Sequence, residues 1–448
     1  RGRNSHDESG LMALNIDLTD VALHAIQHDD FSGVHRVQIE LAGALKRLHG
    51  GSANAYSSFL GLYHDLDFLF AEEPPKSTSD IYGDIHRFYS LRHDLPFRAL
   101  LRLKLAHRGV PTSRRASKPR LGAEDVLFIG GAFWAHPHWI RTYERAARAG
   151  CDVVVLYHDL IPVTFPELTR GRSRPFFERM LRLPTRAIAI SEHTKAQLEE
   201  ARRAVGAPPR LDPATVVPLA HEFSAAPRNH AAPEPPSLRT AMLDRMGAFA
   251  LCVGTVEIRK NHARLLKLWE SLAREAGGAW PKLVVAGKEG WKAQEAVRAL
   301  RRAGREAPYL WIEAPTDKEL VWLYGRAGFT VFPSLVEGWG LPIGESLWFG
   351  KPCVASNAAS MPEVGGALCS YGDPHDIDTF AEPIMRLVRD AGFHQNAVAA
   401  IKASPLRTWA EAANEIAAAV SLSPRGASGR SAHGRDAAPE NGRVPAPA

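Results

Sequence analysis

The chain has 448 residues, too many for one ordinary hydrophobic core, so two domains are expected. A hydrophobic content of 45% with 23% charged residues is globular, and no run of about eighteen apolar residues is present, which excludes a membrane-spanning helix on length. The polar start RGRNSHDESG leads straight into LMALNIDL and offers no secretory apolar segment, and Cys151, Cys252, Cys353 and Cys369 lie far apart. Together these predict a cytoplasmic protein with buried thiols rather than a disulfide frame or a zinc site.

The first element, Leu11 to Leu18, alternates like a strand and exits into the polar residues Asp17, Thr19 and Asp20. Ser32-Gly33 then precedes a helical pattern with Val34, Val37, Leu41 and Leu45 on one face, which puts Gly33 at a strand–loop–helix junction. Residues 50–120 resist assignment, broken by Pro74-Pro75 and Pro96. Within them, 98–120 carry eight Lys and Arg and no acidic residue, so the modest net charge of +6 is unevenly spread. That segment suits an anionic membrane surface, which would place the protein at the inner face of the cell membrane, or else it is a plain basic surface helix and loop. Few aromatics interleave its cations, so no nucleic-acid partner is expected.

Strand-like DVLFI (Asp125 to Ile129) ends in Gly130-Gly131, a helix runs from about Pro137 to Ala149, and DVVVLY (Asp152 to Tyr157) is a second strand. Unbroken Val, Ile and Leu runs mean strands covered on both faces, as in a parallel sheet. Another strand at Ala187 to Ile190 is capped by Ser191 before the helix EHTKAQLEEARRAV. After a Pro-rich linker at 225–236 the rhythm restarts, with strands at Phe249 to Val253, Lys282 to Ala286, Leu310 to Ile312, Phe329 to Phe332 and Pro352 to Ala355. Helices alternate with them, and Thr316 with Glu319 makes a capping box. The prediction is an α/β protein of two doubly wound Rossmann-like domains, 11–224 and 237–420, facing a central cleft. An amphipathic helix at 408–420 is placed to reach back to the first domain, and 421–448 is a disordered tail by composition.

Three loops at strand ends converge on that cleft. The stretch VEGWGLPIGES carries Glu337 and Glu345, eight positions apart, around Gly338 and Gly340 and the start of a helix at Leu341. Glycines there allow close backbone approach, and the free N–H groups of the helix start favour an anion. In VGTVEIRKN, Arg259 and Lys260 open a helix, against its dipole, which an anionic ligand such as phosphate explains better than helix stability does. His158-Asp159 ends a buried strand, where the imidazole can donate to a sugar hydroxyl or stabilise developing charge. The plainer alternatives are solvated glutamates, a solvated cation pair and an ordinary hydrogen-bonding histidine. The triplets Asp65-Leu66-Asp67 and Asp376-Ile377-Asp378 sit away from the glycine turns and read as chance, so no metal site is expected.

On these residues the chain resembles a known family. VFPSLVEGWGLPIGESLWFGKPCVAS is similar to the E-x7-E block of the retaining family-four glycosyltransferases, enzymes of GT-B fold, and VGTVEIRKNHARLL and LVVAGKEGW resemble two further blocks. YHDLIPVTFPE, AIAISEHTK and SGVHRVQIELAGAL resemble the N-terminal domain of that family, O-antigen and exopolysaccharide mannosyl- and rhamnosyltransferases among them. The resemblance spans about residues 13–420 and leaves 50–120 without a counterpart.

The resemblance implies a hexosyltransferase that takes mannose or a deoxyhexose from a nucleotide-diphosphate sugar to a glycan or lipid-linked acceptor, with retention and without a metal or organic cofactor. By it, Glu337 and His158 face the donor sugar as the catalytic pair, and the backbone of Gly338, Trp339, Gly340 and Leu341 lies beside sugar and phosphates. Glu345 holds the ribose hydroxyls, Lys260 and Arg259 neutralise the diphosphate, and Gly33 approaches it from the other domain. Many relatives carry an arginine where this chain has Thr255, which leaves more of the phosphate charge to Arg259 and Lys260. The alternatives are a GT-B nucleotide-sugar epimerase and a sugar-nucleotide-binding protein without catalysis.

Overall fold

The protein was analysed as a computed structural model, which describes residues 13–27, 33–59, 62–70, 80–81, 84–85, 121–135, 137–171, 173–207, 213–230, 234–245, 247–277 and 280–421. Ser32, the basic segment 98–120 and the tail beyond Ser421 lie outside them.

The apolar runs become two sheets. The first has seven strands in the order β3-β2-β1-β4-β5-β6-β7. They are β1 (Leu14–Asp17), β2 (Ala53–Phe59), β3 (Leu62–Asp65), β4 (Val126–Ile129), β5 (Asp152–Tyr157), β6 (Arg186–Ala189) and β7 (Thr215–Val216). All neighbours are parallel except β2 and β3. The second sheet has six parallel strands in the order β10-β9-β8-β11-β12-β13. They are β8 (Phe249–Val253), β9 (Lys282–Ala286), β10 (Tyr309–Ile312), β11 (Phe329–Phe332), β12 (Cys353–Ser356) and β13 (Cys369–Gly372). The two doubly wound units read from the sequence are therefore present. In each the strand order reverses once, between β1 and β4 and between β8 and β11, and the crevice beyond the carboxyl ends at such a reversal is where open α/β sheets take ligands.

Helices used below are α1 (Thr19–Gln27), α2 (Gly33–His49), α3 (Glu192–Ala204), α4 (His262–Ala276), α5 (Asp317–Arg326), α6 (Leu341–Trp348) and α7 (Trp409–Ser421). Ser191 caps α3 by accepting from Thr194 N–H, and Thr316 with Glu319 forms the capping box of α5. The last helix, α7, returns to pack on α2, burying Trp409, Ala412, Ala413 and Ile416. One core runs through both units: Ile16 and Phe128 of the first sheet share it with Phe332, Trp339, Ile343 and Met361 of the second and with α7. Apolar burial on this scale holds the carboxyl ends of the two sheets together.

Three sequence expectations need correction. Thr19 and Asp20 open a helix, α1, rather than a loop: the Asp17 carboxylate accepts from Thr19 N–H at 2.9 Å and so caps the turn from the strand end. The unread stretch after residue 50 contains β2 and β3, whose Ala- and Ser-rich ANAYSSF carries little strand propensity but is buried at Ala53, Ala55 and Ser57. A helix at Ala391–Ala403 was missed because its polar residues obscure the period and Ile401 is its one fully buried side chain. The four cysteines are free thiols, Cys151, Cys252 and Cys353 buried and Cys369 half-buried, and β12 and β13 set Cys353 and Cys369 opposite each other in register. Asp67, in the first acidic triplet, has structural work: it accepts from Ala55 N–H at 2.6 Å and pairs with Lys46 at 3.0 Å.

Candidate functional site

Two helix starts meet where the sheets face each other. Gly33 opens α2, and a Cβ added there would lie 3.3 Å from Leu341 Cδ1, the first residue of α6. Gly340 caps α6 with φ at +113°, a conformation that suits glycine, and neither helix has an acidic residue in its first turn. The positive ends of both helix dipoles thus face the same space, a setting for an anion.

Beside α6, Glu337 holds both predicted cations. Lys260 Nζ is 2.7 Å from its Oε1 and Arg259 Nη1 is 2.5 Å from its Oε2. Burial pushes the Glu337 carboxyl up, but the two cations outweigh it and hold the group at about 2. An ionised carboxylate only accepts and has about four acceptor positions, so roughly two remain for other donors such as hydroxyls. Arg259 also pairs with Glu257 at 2.6 Å and donates to the Val336 carbonyl at 3.2 Å. The Lys260 ammonium rests 4.6 Å above the centre of the Phe332 ring. The cations therefore do not stand apart from Glu337 at a separate phosphate end. They and Glu337 form one cluster, with Glu257 and Asp159 beside it, whose carboxyls are raised by burial and drawn back by Arg259.

His158 follows the last residue of β5, opposite this cluster. Its Nε2 lies 2.8 Å from the Gly130 carbonyl, and a carbonyl only accepts, so Nε2 carries the proton. Burial lowers the imidazole to about 4, so the ring is neutral and Nδ1 is its acceptor nitrogen. The sequence expectation that His158 donates to a sugar hydroxyl is thereby corrected: its free nitrogen accepts. The Gly130 carbonyl is itself held. Asp20 accepts from Ala132 N–H at 2.8 Å and from Gln38 Nε2 at 2.5 Å, and a Cβ at Gly131 would overlap Gln38 Nε2. Asp17, alongside, accepts from the Tyr143 hydroxyl at 3.0 Å, and burial raises both aspartates to about 6.

Gly338 brings the two units together, its α-carbon so close to the His158 carbonyl that a Cβ would overlap it, and its own carbonyl accepts from Ser191 Oγ at 2.9 Å. Trp339 turns its ring into the shared core, so only its backbone fronts the turn. Ser360 Oγ donates to the carbonyls of Glu337 and Trp339 and pins the loop from behind.

Glu345 is nearly buried on α6. Its Oε2 accepts from the Tyr324 hydroxyl at 2.6 Å and its Oε1 from Arg36 Nη1 at 2.9 Å. Arg36 belongs to the other unit, in the first turn of α2. Sequence reading missed it, although the argument applied to Arg259 and Lys260, a cation against a helix dipole, was available in SGVHRVQ. It also missed Asp159 and Glu257 as members of the cluster, since nothing in their spacing distinguishes them from surface acids. A cavity of about 400 Å³ between the units is lined by Phe165, His193, Arg264, Val336 and Ala359 among others. It touches the glycine loop at Val336 but not Glu337, Lys260 or Glu345, which are packed against protein groups.

Comparison with known proteins agrees with this architecture. Residues 242–404 match the family model of glycosyl transferases group 1. Over 151 residues the chain is 35% identical to O-antigen chain mannosyltransferase B of Escherichia coli, covering 34% of this chain and 39% of that protein. Over 312 residues it is 27% identical to the serotype-specific mannosyltransferase WbdA of Escherichia coli, covering 66% of this chain and 37% of that protein. The chain thus matches well under half the length of these relatives. Among solved structures, HepE of Anabaena in complex with UDP and glucose superposes with a TM-score of 0.57 at 16% identity, covering 92% of this chain and 100% of that chain. Sucrose-phosphate synthase from Thermosynechococcus elongatus gives a TM-score of 0.56 at 14% identity, covering 91% and 98%. The fold is GT-B. The C-terminal unit is similar to the group 1 glycosyl transferases over residues 242–404, and mannosyltransferases are among the proteins the chain resembles.

Proposed function

We propose that this protein is a retaining glycosyltransferase that moves a hexose, mannose first among the candidates, from a nucleotide-diphosphate sugar to a glycan or lipid-linked acceptor in surface polysaccharide assembly. The observation that carries the reading is Glu337 held ionised between Lys260 and Arg259, beside the facing helix starts at Gly33 and Leu341. Breaking a sugar–diphosphate bond requires charge stabilisation on the leaving group, and preorganised cations with two helix N-termini supply it. On this reading Glu337 and the His158 Nδ1 accept from sugar hydroxyls, and Glu345 accepts from the ribose. Lys260, Arg259 and the backbone from Gly338 to Leu341 bear the diphosphate. No organic cofactor enters the scheme.

The choice of mannose rests on the two Escherichia coli relatives, both mannosyltransferases. No helix among the described residues is long and apolar enough to cross a membrane. A cytoplasmic enzyme meeting a lipid-linked acceptor through the basic 98–120 segment is part of the proposal. The test is incubation of the full chain with GDP-, UDP- and dTDP-sugars. Slow hydrolysis of one donor to free nucleotide is expected, and it should vanish in Glu337→Gln. Turnover of none, or epimerised donor without hydrolysis, overturns the proposal.

A further inference from the structure

Arg36 has no place in the scheme above, yet its setting is built. It stands in the first turn of α2, where a cation works against the dipole, and its side chain leaves its own unit to enter the other. There its guanidinium forks: Nη1 donates to Glu345 Oε1 at 2.9 Å and Nη2 to Asp317 Oδ1 at 3.0 Å. The group also lies 4.6 Å above the centre of the buried Phe223 ring, and its side chain is only 15% exposed. A nearly buried cation is retained at such a place only when its partners offset the lost hydration, and a fork to two carboxylates over an aromatic face does so.

Building on the proposed donor site, we infer that Arg36 is a positioning residue for the donor: it is delivered from the first domain to orient Glu345, and it completes the site only when the domains are closed. Glu345 is then held from both sides, by Arg36 on Oε1 and by the Tyr324 hydroxyl on Oε2 at 2.6 Å. A carboxylate has about four acceptor positions, so each oxygen keeps about one for a ribose hydroxyl. Ribose binding therefore needs no displacement of Arg36. Asp317, two turns before Tyr324 on α5, anchors the other prong, so the guanidinium cannot swing away from Glu345 without also losing that contact. Because the cation and the carboxylate come from different sheets, closure and ribose binding are coupled through one side chain.

The experiment measures nucleotide binding by calorimetry with GDP, UDP and dTDP, donor hydrolysis, and the radius of gyration by small-angle scattering, all on the full chain. Arg36→Gln keeps length and polarity but removes the charge. Its nucleotide affinity should fall about tenfold or more, the loss that follows removal of a charge-assisted hydrogen bond from a buried carboxylate. KM for donor hydrolysis should rise by a similar factor with kcat little changed, and the ligand-free chain should expand. Arg36→Lys, which keeps the charge but cannot fork to both carboxylates, should fall between, and it stands in should Arg36→Gln fail to fold. Unchanged or tighter nucleotide binding in both variants overturns the role of Arg36. A wild-type chain that binds none of the three nucleotides overturns the donor-site reading itself and this role with it.

Discussion

The carbonyl oxygen of His158 lies so close to the α-carbon of Gly338 that a Cβ there would stand 1.7 Å from it. The glycine that looks from the sequence like room for a ligand is, in the folded protein, room for the other domain. Gly338→Ala must push the β5 loop away from the glycine loop and carry His158 with it. Misplacement of about 1 Å at a reacting centre costs on the order of 100-fold in rate. Donor hydrolysis by Gly338→Ala should fall by about that factor, while far-ultraviolet circular dichroism stays that of wild type. Activity within threefold of wild type would contradict the closed arrangement.

The pairing of Glu337 makes a prediction about acid. Its carboxyl sits at about 2 against an ordinary 4.5, because Arg259 and Lys260 overcome burial. A depressed carboxyl contributes stability that is complete above the unfolded value and lost as pH falls through the folded one. The contribution should therefore be whole above pH 4.5 and fade toward pH 2. Glu337→Gln leaves two nearly buried cations facing an amide and should cost about 3 kcal/mol at neutral pH, typical of breaking one side of a buried pair. Denaturant melts at descending pH should show the wild-type and variant curves converging across that window. A constant difference would place the carboxylate in another environment.

His158 should not titrate near neutrality. With its Nε2 proton on the Gly130 carbonyl and its pKa lowered to about 4 by burial, it stays neutral from pH 5 to 8. Nitrogen-15 spectra of histidine-labelled protein should show one resonance pair with a protonated Nε2 and a bare Nδ1, unmoved across that range. The pH profile of donor hydrolysis should correspondingly lack an inflection near 6.5 from this residue. A His158 resonance that moves between pH 6 and 7 would refute the assignment.

Trp409 ties the end of the chain to its beginning. It opens α7, is 3% exposed and donates its indole N–H to the Glu222 carbonyl at 3.1 Å. Trp409→Ala should cost about 3–5 kcal/mol, the usual range for deleting a buried aromatic. Because α7 covers α2, the loss should appear as early hydrogen exchange in α2 as well as a lower melting temperature. Exchange confined to α7 would mean that the helix is dispensable to the first domain.

Much of this molecule is legible in its residues. Phe249–Val253, Lys282–Ala286 and Phe329–Phe332 appear as strands at the predicted bounds, because a strand buried on both faces must be continuously apolar and little else in a chain is. Ser191 and Thr316 mark helix starts because a cap is local chemistry, complete within four residues. The same local logic singles out Gly33, Arg259, Lys260 and Glu337, at helix starts or in a strand-end loop, and Glu345 one turn into α6. What the residues do not carry is who faces whom. That Lys260 and Arg259 both close on Glu337, that Gly338 receives the His158 carbonyl, and that Cys353 stands opposite Cys369 depend on strand order and register. Arg36 is the clearest case, 309 positions from the glutamate it holds. The sequence alone determined two doubly wound domains and the chemical types gathered at their strand ends. Only the tertiary structure decided which charges neutralise one another, because an ion pair depends on distance and burial, and both are set by how the two sheets close.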